Sequence, residues 1–293
     1  MRCHTDADLA SFADTVLPWL ARDPVRNNVA CTILDVRVNA YLPTEPDGLW
    51  LRVCDEDGEL VGVGIRTPPR ELLLSTMPLP AAQTLAEHVS RIASEIPGVT
   101  GPIGEADTFQ AAFAAHTGRA PTPGRRSRLF RLDRVTSPSG VPGKARAAST
   151  ADRDLLIDWV SAFGAEIDPE TEPGDPAPAI DGRLRRQNLL WLWEVDGAPT
   201  SLAGLSPPVA GVSRVGPVYT PPDLRGRGYA SACVAASSQH ALDHDSLACM
   251  LYTDLTNPIS NKIYQQIGYR PVSDAQEWRF GPADDRIGLG GRV

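Results

Sequence analysis

The sequence predicts an α/β fold of the mixed-sheet (α+β) kind laid down twice in tandem, each copy a central mixed, mostly antiparallel sheet flanked by helices. Three observations predict it. Apolar runs of strand length alternate with longer stretches at helical spacing along the whole chain. Leu49-Trp50-Leu51 and Leu190-Trp191-Leu192 open two similar hairpins, and the distances to the last strand of each half are close, 80 residues from Trp50 to Phe130 and 89 from Trp191 to Phe280. Between the halves lies Ser137-Pro138-Ser139-Gly140-Val141-Pro142-Gly143-Lys144, dense in Pro, Gly and Ser and without an apolar face. The expected division is 1–136, a linker at 137–144, and 145–293.

In order, Asp6 to Leu20 carries apolar residues at Leu9, Phe12, Ala13, Val16, Leu17 and Leu20, the spacing of an amphipathic helix. The apolar runs Leu49–Cys54 and Leu60–Ile65 flank Asp55-Glu56-Asp57-Gly58-Glu59, an acidic turn with glycine in place, so they predict a hairpin. A buried strand is expected over Glu71–Thr76, helices over Gln83–Ile96 and Asp107–His116, a loop over Pro97–Pro102 and a strand over Ser127–Leu132. After the linker the order recurs. A strand is expected over Ala145–Ala148, a helix over Asp152–Phe163, and a hairpin from Leu190–Val195 and Ser201–Leu205 around Asp196-Gly197.

At 293 residues the chain can hold two cores of ordinary size. A formal charge of −8 and a pI near 5.2 argue against a nucleic-acid or anionic-membrane partner. No apolar stretch approaches the ~18 residues of a membrane helix, and the first residues lack a signal-peptide layout, so a cytoplasmic location is expected. The five cysteines form no CxxC pair and read as reduced, small apolar residues. His240 and His244 stand four apart without a third ligand, so no metal is expected.

The richest stretch runs from Val215 to Ala230, an apolar run feeding a Pro/Gly/Arg turn that opens onto an Ala-rich helix. Gly226 and Gly228 lack a Cβ and permit unusual dihedrals and close backbone approach. The first-turn amides of the helix have no internal partner and form the positive end of its dipole, an anion site beside the guanidinium groups of Arg225 and Arg227. Arg225-x-x-Gly228-x-Ala230 resembles the acyl-coenzyme A pyrophosphate loop of the GNAT superfamily of N-acetyltransferases. Further on, Asn257-x-x-Ser260-x-x-x-Tyr264-x-x-x-Gly268-Tyr269 is similar to a second pattern of that family, in the right order and distance. The first half offers Met77-Pro78-Leu79-Pro80-Ala81-Ala82-Gln83 in place of the loop, without glycine or arginine, and so reads as a degenerate copy.

The resemblance implies acyl transfer from acetyl-coenzyme A to a primary amine by direct attack, with cofactor contacts at Val218, Tyr219, Thr220, Arg225, Gly226, Arg227, Gly228, Tyr229, Ala230 and Asn257. It implies the Val218 amide as oxyanion donor and Tyr264 as the acid that protonates the departing thiolate. Gly216-Pro217 suits the strand bulge that the family has before its loop. The base is open among Glu166, Glu194 and Glu277, in that order, with Asp168 behind them, or a water relay. The acidic, Pro-rich stretch Asp168–Pro178 is either a loop favouring a cationic amine or plain linker. A non-catalytic acyl-coenzyme A binder is the alternative.

Overall fold

The computed structural model describes residues 1–39, 48–167 and 174–282. The chain starts with β1 (Arg2–Asp6), α1 (Leu9–Leu20) and α2 (Asn28–Val38). The hairpin β2 (Leu49–Cys54) and β3 (Leu60–Arg66) follows, then β4 (Leu72–Leu74), α3 (Leu79–Ile92), β5 (Gly98–Pro102), α4 (Ile103–Thr117) and β6 (Pro121–Leu132). Next come β7 (Lys144–Ala147), α5 (Arg153–Ile167), α6 (Ala177–Arg185), β8 (Leu190–Val195), β9 (Ala198–Leu205) and β10 (Val212–Tyr219). The last elements are α7 (Tyr229–His244), β11 (Ala248–Asp254), α8 (Pro258–Ile267) and β12 (Arg270–Phe280).

Local chemistry explains the main boundaries. Asp8 caps α1 by accepting from the Ser11 amide at 2.7 Å, which ends the first strand at Asp6 and begins the helix at Leu9 rather than Asp6. Gly118 and Gly268 close α4 and α8 in the left-handed region, at φ +69° and +110°. Residues 98–102, expected as a loop, form β5 instead. Two glycines and a proline hide the strand, but Val99 is fully buried and Gly101 lets the chain pass against Leu74, into which a Cβ would intrude at 2.8 Å.

The chain forms two compact units. The first takes residues 1–129, Asp254–Thr256 and the chain from Val272 onward; the second takes Phe130–Thr253 and Asn257–Pro271. Each compact unit is thus discontinuous in sequence. Within the first unit the strand order is β1-β2-β3-β4-β5-β12-β6, so the last strand among the described residues sits between β5 and β6. Ala275 to Arg279 of β12 pair antiparallel with Pro102 to Gly98 of β5. Its core gathers Leu51, Leu72, Leu85, Val99, Phe109, Phe113 and Phe280. Arg119 is buried beneath it, donating to the carbonyls of Ser94, Ile96, Phe280 and Gly281 at 2.6–2.9 Å.

In the second unit the order runs from the end of β6 through β11-β10-β9-β8-β7. Phe130 and Leu132 of β6 lie in its core with Ala203, Leu205, Val215, Cys233, Val234, Cys249, Leu251 and Tyr269, under α7. A second cluster on the other face joins Leu202 and Tyr219 to Leu156 of α5 and Ile180 of α6. Burial pushes the Cys233 and Cys249 thiols up to about 12, so both stay protonated and act as packing groups. No helix among the described residues is long and apolar enough to cross a membrane.

Candidate active site

The strands of the second unit part beside the Gly/Arg turn. β10 runs parallel to β11 with Val212, Ser213 and Arg214 opposite Ala248, Cys249 and Met250, and the paired register ends there. On its other side β10 pairs with β9, but the register shifts between Val215↔Leu205 and Val218↔Ala203, so Gly216 and Pro217 together face Gly204 alone. That is the two-against-one count of a β-bulge. Gly216 has φ +147° and its peptide bond to Pro217 is cis. Beyond the bulge the Tyr219 carbonyl accepts from Ser201 Oγ on β9 at 3.1 Å. Alternation along an extended strand then turns the N–H and C=O of Val218 the other way, toward the opening beside β11.

Expected contacts at Tyr219 and Thr220 are partly committed inside the protein. The Thr220 carbonyl accepts from Arg225 Nε at 2.9 Å, and its hydroxyl lies 2.8 Å from Ser201 Oγ.

The turn from β10 to α7 is built on two left-handed glycines, Gly226 at φ +77° and Gly228 at φ +80°. Gly228 is the N-cap and offers no side chain, while its carbonyl accepts from Ala232 N at 3.0 Å. Among the described residues no hydrogen bond is made to the amides of Tyr229, Ala230 and Ser231 from outside the helix, so they remain available to an anion. The linker lies against this turn. A Cβ at Gly228 would come within 3.0 Å of Val141, and Trp193 Nε1 donates to the Pro142 carbonyl at 2.8 Å.

Arg225 spans the turn with its guanidinium 5.8 Å from the centre of the Tyr219 ring, and Nη2 donates to both oxygens of Glu166 at 2.6 and 2.9 Å. Glu166, the first candidate base, is thereby an ion-pair partner of the phosphate-loop arginine. Arg227 Nη2 donates to the Asp223 carbonyl at 3.2 Å. Glu194 is held by Arg146 at 2.8 Å, and the same guanidinium holds Asp152, whose carboxyl it draws down to about 2. Glu277 pairs with Arg279 at 2.8 Å in the first unit. Asp168 lies outside the described residues.

Asn257 caps α8, its Oδ1 accepting from Ser260 N at 3.0 Å. Tyr264, two turns along, packs on the margin of the same core as Val218, with ring centres 6.5 Å from Phe130 and 5.8 Å from Tyr269. Desolvation pushes its phenol up to about 12, so it holds its proton at neutral pH. The Tyr269 hydroxyl is tied to Ser238 Oγ at 2.8 Å; none of the described residues makes a hydrogen bond to that of Tyr264. His240 and His244 stack at 4.1 Å, with Trp191 4.9 Å from His240, and no group of three or more metal-type ligands occurs among the described residues.

Residues 154–269 match the model of the Acetyltransferase (GNAT) family. That stretch of the second half is similar to the GNAT family. No curated protein sequence matches the chain. Three solved structures share its fold over nearly the whole length. A GCN5-related N-acetyltransferase from Sphaerobacter thermophilus has a TM-score of 0.63 at 14% identity, covering 97% of this chain and 96% of that one. An acetyltransferase of the GNAT family from Colwellia psychrerythraea has 0.60 at 13%, covering 96% and 100%. A tandem GNAT protein from the clavulanic acid biosynthesis pathway has 0.55 at 13%, covering 97% and 100%. The matched family is one of acetyltransferases.

The first unit differs from the second at the place that corresponds by order of elements. β4 and β5 run parallel, with Leu72 and Leu73 opposite Val99 and Thr100. The chain after β4 turns inward. Met77 is buried, packed so closely on Gly62 that a Cβ there would meet its side chain at 2.9 Å. The Met77 amide donates to the buried Glu105 carboxylate at 3.2 Å, and α3 begins behind Pro78 with Pro80 in its first turn. This turn is closed by an internal carboxylate and a thioether, whereas the 225–230 turn carries two left-handed glycines. The residues missed from sequence are those that meet the bulged strand across the fold, since nothing local marks them: Ser201, which donates to the Tyr219 carbonyl, Gly204, which faces the bulge, and Arg183, whose Nη1 donates to the Gly216 carbonyl at 3.1 Å.

Proposed function

We propose that the chain is an N-acetyltransferase that binds acetyl-coenzyme A once, in the second half, and transfers the acetyl group directly to a primary amine. The observation that carries this reading is the strand opening after Arg214 and Met250, which leads to a helix N-terminus bounded by Gly226 and Gly228 with unused amides. The pyrophosphate would lie on the amides of Gly228, Tyr229 and Ala230, flanked by Arg225 and Arg227, with Asn257 at the pantetheine side. The first half, 1–136, is read as a degenerate copy without a cofactor, joined through 137–144 to the catalytic half at 145–293.

In the reaction the neutral amine nitrogen attacks the thioester carbonyl. A C–N bond forms, the C–S bond breaks, the thiolate takes a proton, and the nitrogen loses one. The Val218 amide meets the oxyanion, an interaction of a kind worth about 10²–10³ in kcat. Tyr264 supplies the proton to sulfur. Because Glu166 and Glu194 are each held by an arginine, deprotonation of the ammonium is assigned to water rather than to either carboxylate. The same observation favours one second reading, an acyl-coenzyme A binder without catalysis.

Calorimetry with acetyl-coenzyme A tests both. The expected isotherm fits one site per chain. A flat isotherm at millimolar ligand would sink the two readings together, and binding without thiol release over a broad amine panel would leave the second.

A further inference from the structure

The bulge in β10 is held from outside the sheet. Gly216 and Pro217 have no one-to-one partners on β9, since the register passes from Val215↔Leu205 to Val218↔Ala203. Gly216 carries no side chain and stands at φ +147°, and proline has no N–H to give to a ladder, so the neighbouring strand constrains this pair weakly. Arg183 reaches it from α6. Ile180 and Leu184 of that helix pack with Leu202 and Tyr219, which pair across β9 and β10 just past the bulge. Arg183 stands three residues after Ile180 on the same side of the helix. Its Nη1 donates to the Gly216 carbonyl at 3.1 Å.

Two further observations mark this bond as part of the local design. A Cβ on Gly204, the β9 residue facing the bulge, would stand 2.7 Å from Arg183 Nη1 and 2.6 Å from the Gly216 carbonyl oxygen, so any side chain there would fill the space of the hydrogen bond. The guanidinium is also desolvated. Burial first, and the charge of Arg214 second, pull it down to about 10, which leaves it a cation at neutral pH. A charged donor makes a hydrogen bond roughly twice as strong as a neutral one, and more so away from water.

Building on the acetyltransferase reading, we propose that Arg183 is a positioning residue: by gripping the Gly216 carbonyl it fixes the bulge, and so holds the Val218 amide, two residues on, where it meets the thioester oxygen. Arg183 touches neither the coenzyme nor the amine in this role. An oxyanion donor is effective when its N–H is aimed before the reaction, and a displacement of about 1 Å can cost ~10²-fold in rate. The aim of that donor is thereby tied to the helices packed on this face. Arg153 of α5 donates to both carboxylate oxygens of Asp181 on α6, at 2.6 and 3.0 Å, so the two helices carry Arg183 as one layer.

Isotope-edited infrared spectroscopy of bound acetyl-coenzyme A, labelled with carbon-13 at the thioester carbonyl, reads the donor without an acceptor. A hydrogen bond to that oxygen lowers the carbonyl stretch, so the unmodified protein should show a lowered band. In Arg183→Gln most of the lowering should be lost, while calorimetry gives the same Kd for acetyl-coenzyme A. With an amine that supports thiol release, kcat in this variant should fall about tenfold to a hundredfold at unchanged KM for acetyl-coenzyme A. Arg183→Lys, with a point charge on a shorter stem in place of the fork, should keep part of the lowering. Arg185→Gln, at an exposed arginine of the same helix, should leave the band where it is. An undiminished lowering in Arg183→Gln overturns the proposal; if that variant does not fold, an undiminished lowering in Arg183→Lys does so. Loss of acetyl-coenzyme A binding in a folded Arg183→Gln overturns it too, because the residue then serves the coenzyme site as a whole. An unshifted band in the unmodified protein removes the Val218 donor and the proposal together, whereas absence of acetyl-coenzyme A binding there removes the transferase reading beneath them.

Discussion

Tyr264 gains its proposed role from where it is buried. A phenol of ordinary acidity begins to ionise near pH 10, whereas this one is pushed up to about 12 by desolvation against Phe130 and Tyr269. It is an acid that keeps its proton until sulfur leaves. Tyr264→Phe should lower kcat about 10²-fold with little change in the KM for acetyl-coenzyme A. In the unmodified protein no fall in kcat should occur near pH 10, because the protonated form persists until about 12. Unchanged turnover in the variant would remove the role. This residue was readable in the sequence because its spacing from Asn257 is local to one helix. Glu166 was not. Its side chain looked like a loose carboxylate after α5, and only the fold brings it to Arg225, which is 59 residues away. Arg183 escaped for the same reason, its partner Gly216 being 33 residues on.

The turn between β10 and α7 works because two glycines take φ values that cost other residues roughly 1–2 kcal/mol. Gly228→Ala would add to that a contact at 3.0 Å with Val141. It should lower the thermal midpoint and weaken acetyl-coenzyme A binding by about tenfold, whereas Gly58→Ala, at φ +87° in an open hairpin turn with nothing within 4 Å, should cost stability alone. Calorimetry and a melting curve on the two variants separate strain from site. At this scale the hairpins were legible, since Leu, Trp and Val alternate around Gly-containing turns. β5 and α6 were not. Glycine and proline in Gly98–Pro102 mask a strand whose burial comes from its neighbours, and the helix at Ala177–Arg185 sits behind prolines that read as loop. α2 likewise lacks a clear apolar face, with Asn28 among its buried residues.

The linker and the order of elements suggested two halves cut near 140, but pairing partners are a long-range property that periodicity does not encode. Phe130 and Leu132, just before the expected boundary, are fully buried in the second unit, and Phe280 near the end of the second half is buried in the first. Deleting buried residues of that size costs on the order of 3–5 kcal/mol each, comparable to a whole domain's stability. A fragment of residues 130–271 should therefore be soluble and melt cooperatively, while a fragment of 145–293 should fail to fold, as judged by circular dichroism and gel filtration. Cooperative melting of the latter would contradict the unit boundaries.

The position of β12 in the sheet of the first unit also sets a timetable. A ribosome releases the chain from its amino end, so residues 130–271 are all available while β5 and β6 still wait for the strand that belongs between them. The later-encoded unit can thus be completed first, and the earlier-encoded one must stay open, with the edge of β5 unprotected, until β12 has emerged.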